Sequence, residues 1–65
     1  MPFIEVTLVE GRAPEQLRAL IAAITEAVEV AIEAPRTSIR VVLHEVPTTH
    51  WAVGDVTMAE KKAPV

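Results

Sequence analysis

Two short runs of alternating apolar and polar residues flank a long stretch of helical periodicity, and this order limits the fold more than any other feature of the chain. Residues 3–9 read FIEVTLV, in which Ile4, Val6 and Leu8 alternate with Glu5 and Thr7, the period of a half-buried strand. Gly11, within EGR at 10–12, ends that run. Over residues 14–33, Leu17, Leu20, Ile21, Ile24, Val28, Ala31 and Ile32 recur at helical spacing, with Arg18, Thr25, Glu26, Glu29 and Glu33 on the opposite face. Pro14 suits a first helical position and Glu15 the positive end of the helix dipole, whereas Ala13 is a poor N-cap. Pro35 disfavours helix at Ala34 and stops the element. In residues 38–45, SIRVVLHE, the side chains of Ile39, Val41 and Leu43 share one face of a second strand and Arg40, Val42 and His44 the other.

A helix between two strands leaves room for a crossover, so the strands are expected to be parallel and the crossover right-handed. Pro47 ends the second strand, and HWAVGDVTMAE at 50–60 predicts a short hairpin around Gly54 and Asp55. The expected class is α+β: one domain over residues 1–65, a single β-α-β unit with a short C-terminal hairpin and a flexible tail from about residue 58. Two strands under one helix leave open edges and a bare sheet face, which is not a stable domain in isolation.

Size sharpens that point. A 65-residue chain buries too little surface to be secure alone, and disulfides, a structural metal or oligomerisation are the usual remedies. There is no cysteine, and the two histidines, His44 and His50, do not sit at i, i+4 on one helical face, so neither a disulfide nor a metal site is expected. Hydrophobic residues make up 51% of the chain, a surplus that points to subunit interfaces and a homo-oligomer whose sheets are completed between copies. Six Lys and Arg against nine Asp and Glu give a net charge of −3, which argues against nucleic acid as a partner. No apolar run approaches the ~20 residues of a membrane span, and the N-terminus lacks the pattern of a secretory signal. A soluble, cytoplasmic protein is the expectation.

The candidate chemistry begins at Pro2. Removal of Met1 would leave Pro2 as a secondary amine at the start of a strand, a compact base needing no side chain. An α-amino group ordinarily titrates at about 7.7–8.0, and nearby cations and desolvation both favour its neutral form. On its own, a proline at position two is merely compatible with N-terminal processing. Arg12 and Arg40 add weight. Arg12 taken alone reads as a solvated loop cation. Arg40 lies between Ile39 and Val41, where a cation needs a partner, such as Glu10 or Glu45. Guanidinium forks match carboxylates in bidentate fashion, so a base with two of them suits a small diacid or keto acid. Trp51, the only tryptophan, suits interface packing or the wall of a pocket. His44 and His50 read as structural or solvent-facing. Glu26, Glu29 and Glu33 read as a solvated helical face.

Proline after Met1, LVEGR at 8–12, PEQ at 14–16, AP.TS.RV across 34–41 and HWAVG at 50–54 occur together in a chain of this length and element order. In these features the sequence resembles 4-oxalocrotonate tautomerase and its short-chain relatives in the tautomerase superfamily, from Pro2 to about Gly54. The resemblance implies a cofactor-independent keto–enol isomerase of small unsaturated 2-hydroxy or 2-oxo acids such as 2-hydroxymuconate. It makes Pro2 the general base. Arg12 would bind the distal carboxylate. Arg40, from a neighbouring subunit, would bind the 2-oxo end and stabilise the dienolate. Trp51 would be the aromatic wall, and Val9 would contribute its backbone to the site. It also implies a hexamer built as a trimer of dimers.

The chain departs from the family pattern at three positions. Trp51 replaces the usual phenylalanine, Asp55 stands where a second glycine is common, and Arg36 is an additional cation. Dehalogenating relatives carry a water-activating glutamate where this chain has Val53, which counts against hydration or dehalogenation. Two other readings remain beside the isomerase: an N-terminal-proline enzyme of biosynthetic or Michael-addition type, and a non-catalytic structural oligomer.

Overall fold

A computed structural model of the chain describes residues 1–61. Strand β1 (Phe3–Val9) leads into helix α1 (Pro14–Ile32), and β2 (Arg40–Val46) follows; the two strands pair in parallel, from Phe3 opposite Arg40 to Val9 opposite Val46. The expected β-α-β unit is therefore present. Its register puts Ile4, Val6 and Leu8 beside Val41, Leu43 and Glu45, and all but Glu45 are half-buried on the face that α1 covers. Phe3, Glu5 and Thr7 emerge on the other face with Arg40, Val42 and His44, and every one of these six is exposed.

The boundaries differ from the sequence reading where polar groups close turns. Ser38 does not enter β2. Its N–H and its hydroxyl both donate to the Pro35 carbonyl, at 2.9 and 2.8 Å, and Arg36–Ser38 form a single 3-10 turn. At the far end, the Glu10 N–H donates to the Val46 carbonyl at 2.9 Å and extends the ladder past Glu45.

Helix α1 starts behind Ala13, whose side chain cannot cap it. The Gln16 carboxamide oxygen fills part of that role, accepting from the Ala13 N–H at 3.0 Å, while the Gln16 N–H donates to the Ala13 carbonyl at 2.9 Å. Glu33, in the left-handed region at φ 55°, ends the helix two residues before Pro35. The half-buried stripe is Leu17, Leu20, Ile21, Ile24, Thr25, Val28 and Glu29. Thr25 turns inward because its hydroxyl donates to the Ile21 carbonyl at 2.8 Å. Glu29 is not a free surface carboxylate, since it pairs with Arg36 at 3.0 Å. Ala31 and Ile32, expected on the apolar stripe, are exposed: the last turn of α1 runs beyond the sheet it packs on.

Beyond β2, Thr48–His50 form a second 3-10 turn, and β3 (Ala52–Val53) and β4 (Val56–Thr57) make the expected antiparallel hairpin. Its two-residue turn needs positive φ at both centres, which Gly54 (57°) and Asp55 (71°) supply. Residues 58–61 are not tail but regular structure. Met58–Lys61 form the short helix α2, held by reciprocal bonds between Thr57 and Glu60: the Glu60 N–H donates to the Thr57 hydroxyl at 3.1 Å and the Thr57 N–H to a Glu60 carboxylate oxygen at 2.9 Å. The rest of the expected tail lies outside the described residues.

Little of this is buried. Among the described residues Ile39 alone reaches a core environment, while Phe3, Val30, Ile32, Val53 and Val56 remain exposed. The radius of gyration is 15.3 Å, against about 11 Å for a compact domain of this length. One helix on one face of a two-stranded sheet leaves both strand edges and the opposite face open.

Candidate active site

Parallel pairing sorts the predicted site residues into two groups at opposite ends of the sheet. At one end the Arg40 N–H donates to the Pro2 carbonyl at 3.0 Å, which places the start of β2 directly beside Pro2. Pro2 is half-buried, and Met1 beyond it is 86% exposed. The Arg40 guanidinium folds back on its own chain, Nη1 donating to the Thr37 carbonyl at 3.0 Å. Neither Glu10 nor Glu45 pairs with Arg40; among the described residues Arg36 pairs with Glu29, and His44 meets Glu5. The carbonyl tether leaves the cation's charge uncancelled and available to an anion.

At the other end lie Val9, Arg12 and Trp51. Gly11 turns the chain out of β1 at φ 127°, a conformation that residues with a Cβ rarely adopt. Arg12 then reaches back, and its Nη1 donates to the Val9 carbonyl at 2.9 Å. That bond occupies one donor of a five-donor fork and orients the rest. Trp51 follows the turn that leaves β2 and is half-buried; its carbonyl accepts from the Met58 N–H at 2.8 Å, which ties it to the start of α2.

Six residue steps separate Phe3 from Val9, so the two groups stand about 20 Å apart along β1. An arginine side chain does not span that length. Within one chain Pro2 and Arg40 are brought together, Val9 and Arg12 are brought together, Trp51 follows the turn beyond the end of β2, and the first pair is kept apart from the second. The hollow in the hairpin region, lined by Val53, Val56, Met58 and Lys61, contains none of these residues.

Two features escape sequence reasoning. The Thr37 carbonyl that holds Arg40 becomes available only through the 3-10 turn, which a strand assignment from Ser38 hides. Glu5 and His44 form a hydrogen bond across the helix-free face. Both occupy outward positions of alternating runs, but only the register reveals that they meet. Among the described residues no three His, Cys, Asp or Glu cluster to hold a metal, and no helix is long and apolar enough to cross a membrane.

Comparison with known proteins bears on the family and the fold. The family model described as "Tautomerase enzyme" matches residues 2–61. A Ralstonia nicotianae protein named "Probable tautomerase" is 47% identical over 64 residues, covering 98% of this chain and 91% of that protein. The 2-hydroxymuconate tautomerase of Comamonas testosteroni is 38% identical over 60 residues, covering 92% and 95%. Among solved structures, a heterohexamer 4-oxalocrotonate tautomerase from Chloroflexus aurantiacus superposes with a TM-score of 0.89 at 40% identity, covering 92% of this chain and 97% of that one.

Proposed function

The chain belongs to the tautomerase family and is an isomerase of that kind, and we propose that it interconverts the enol and keto forms of small unsaturated 2-hydroxy acids, with 2-hydroxymuconate as the representative substrate and Pro2 as the base. The reading rests on one observation: Pro2 and the Val9–Arg12 segment lie at opposite ends of the same strand. Each chain thus carries two complementary halves of a site. An antiparallel two-fold pairing of free β1 edges puts Pro2 of one copy against Val9 and Arg12 of the other. Pairing through the β2 edges would leave two strands between them. Three such dimers, related through the helix-free sheet faces, form a homohexamer. Arg40 lies on that face and reaches the site from a neighbouring copy.

The chemistry follows from these positions. Once Met1 is removed, the neutral Pro2 nitrogen takes the proton of the 2-hydroxyl group. It returns a proton to C5 as the double bonds shift, so the dienol becomes the 2-oxo-3-ene and no atom is gained or lost. Negative charge grows on the 2-oxygen along this path, and Arg40 meets it there. Preorganised donors aimed at developing charge are usually the largest single contribution to such a step. Arg12 holds the remote carboxylate, whose charge does not change, and so contributes position. Trp51 limits water around the amine. The proton transfer calls for no cofactor, and the small acid and the other copies are the only partners in this reading. It places the enzyme in the cytoplasm.

The test couples mass to turnover. Intact mass of the purified protein should lack Met1, and loss of the dienol absorbance of 2-hydroxymuconate should then be catalysed. Protein shown to lack Met1 that turns over neither 2-hydroxymuconate nor phenylenolpyruvate would overturn the assignment. Chain mass measured by light scattering tests the assembly separately, and a stable monomer would remove the shared site.

A further inference from the structure

We infer that Glu5 and His44 are a hydrogen-bonded self-recognition pair on the helix-free sheet face, through which neighbouring copies of this same chain are selected; the inference rests on the oligomeric reading above. Glu5 stands opposite Val42 and His44 opposite Thr7 in the parallel register, so the pair is a diagonal one, two residues out of line across the strands. The His44 Nε2 meets a Glu5 carboxylate oxygen in a direct hydrogen bond. Phe3, 61% exposed, and Val42, 37% exposed, border the pair with apolar surface. On this face β1 contributes Glu5 as its charged group and β2 contributes His44 and Arg40, and α1 covers none of them.

The pair is costly for a face that is to be covered. Moving a carboxylate or an imidazolium out of water is unfavourable unless each is matched. Here each is matched within the chain, and the two side chains remain 53% and 48% exposed. The remaining lone pairs and N–H groups can therefore still bond across an interface. A face carrying one carboxylate and one imidazole side by side is complementary to an identical face, since the carboxylate of one copy can meet the imidazole of the next. It is not complementary to a chain with two acids or two bases at these positions, nor does an apolar membrane surface match it. The occupant is therefore a second copy of this chain. Specificity of this kind needs the repulsive term against the wrong partner as much as the attraction to the right one.

The experiment changes the code without touching Pro2, Arg12, Arg40 or Trp51. His44→Glu leaves two carboxylates on the face, and Glu5→Lys leaves an ammonium beside an imidazole. Each variant alone should assemble on the order of a hundredfold more weakly than the wild type, because His44→Glu apposes two carboxylates and Glu5→Lys removes the carboxylate that His44 meets. Light scattering at micromolar concentration should show smaller species for both. The two variants, mixed in equal amounts and refolded together, should recover the wild-type mass, with both chains present by native mass spectrometry. The double variant Glu5→His/His44→Glu should recover it alone. Joint refolding keeps the test decisive if either single variant does not fold by itself. Wild-type assembly in both single variants would overturn the inference. So would failure of both the mixture and the double variant to recover the wild-type mass. A monomeric wild type would instead sink the oligomeric reading, and absence of turnover in an intact oligomer would sink only the catalytic one.

Discussion

Two impaired variants of this protein should restore one another if each site takes Pro2 and Arg12 from different copies. One variant has its N-terminal amine acetylated after Met1 removal; the other is Arg12→Ala. The structure sets the yield. Pro2 and Arg12 lie about 20 Å apart at the two ends of β1, and Arg12 is tied back to the Val9 carbonyl, so in the proposed arrangement no chain completes its own site. In a two-fold pair with two shared sites, random reassociation of equal amounts makes about half of the pairs mixed. A mixed pair has one site with its proline from the Arg12→Ala copy and its arginine from the acetylated copy, and both groups there are intact. The other site has lost both. About one quarter of wild-type activity should therefore appear.

The assay is decay of 2-hydroxymuconate absorbance at substrate well below the KM of Arg12→Ala, where the rate reports kcat/KM, before and after the variants are unfolded and refolded together. Native mass spectrometry of the same sample should show mixed assemblies. Activity that stays at the mean of the two parents while mixed assemblies are present would refute the shared site, because it would mean that each chain brings Pro2 and Arg12 together by itself.

Pro2→Ala should retain weak turnover, since a primary amine remains at the same place, whereas acetylation of Pro2 should abolish it; unchanged turnover after acetylation verified by mass would remove Pro2 from the mechanism. Arg40→Ala should lower kcat by roughly 10²–10³, the usual loss for one donor to developing charge. Arg12→Ala should act mainly through KM, and much less on phenylenolpyruvate, which lacks the distal carboxylate, than on 2-hydroxymuconate; equal losses on both substrates would contradict its role. Gly11→Ala meets no atom within 4 Å, so its cost is the backbone conformation at φ 127°, about 1–3 kcal/mol by chemical denaturation, with KM raised as Arg12 is displaced. A variant as stable as the wild type would show that the turn is not under that constraint.

What the sequence could and could not reveal follows from where each feature is encoded. The alternation of Ile4, Val6 and Leu8 with Glu5 and Thr7 is local, and β1 spans the same residues in the structure. The hairpin turn is equally local, because Gly54 and Asp55 are the residues that its backbone demands. Ser38 was hidden because alternation continues through it, while its hydroxyl and N–H both close a turn on Pro35 instead. The Thr57–Glu60 cap on α2 was readable in TMAE, which has the spacing of a capping box, but the stretch follows a hairpin and is only four residues long. The hydrogen bond on the open face is a different kind of case. Glu5 and His44 are 39 positions apart and meet only in the register that sets Phe3 opposite Arg40.

The same register explains why residue types alone cannot assemble the site. Parallel pairing sends both strands in one direction, so the groups at their starts, Pro2 and Arg40, collect at one end. The groups beyond their ends, Arg12 and Trp51, collect at the other. A β-α-β chain of two strands cannot bring its two ends together by folding further, because β1, α1 and β2 are each a single straight element. In the proposed assembly the distance is closed by turning one copy around against another. The bare edges and helix-free face that make the chain a poor monomer are thus the surfaces on which the proposed mechanism depends, and substitutions there, such as at Glu5 or His44, should alter activity through assembly before they alter the chemistry.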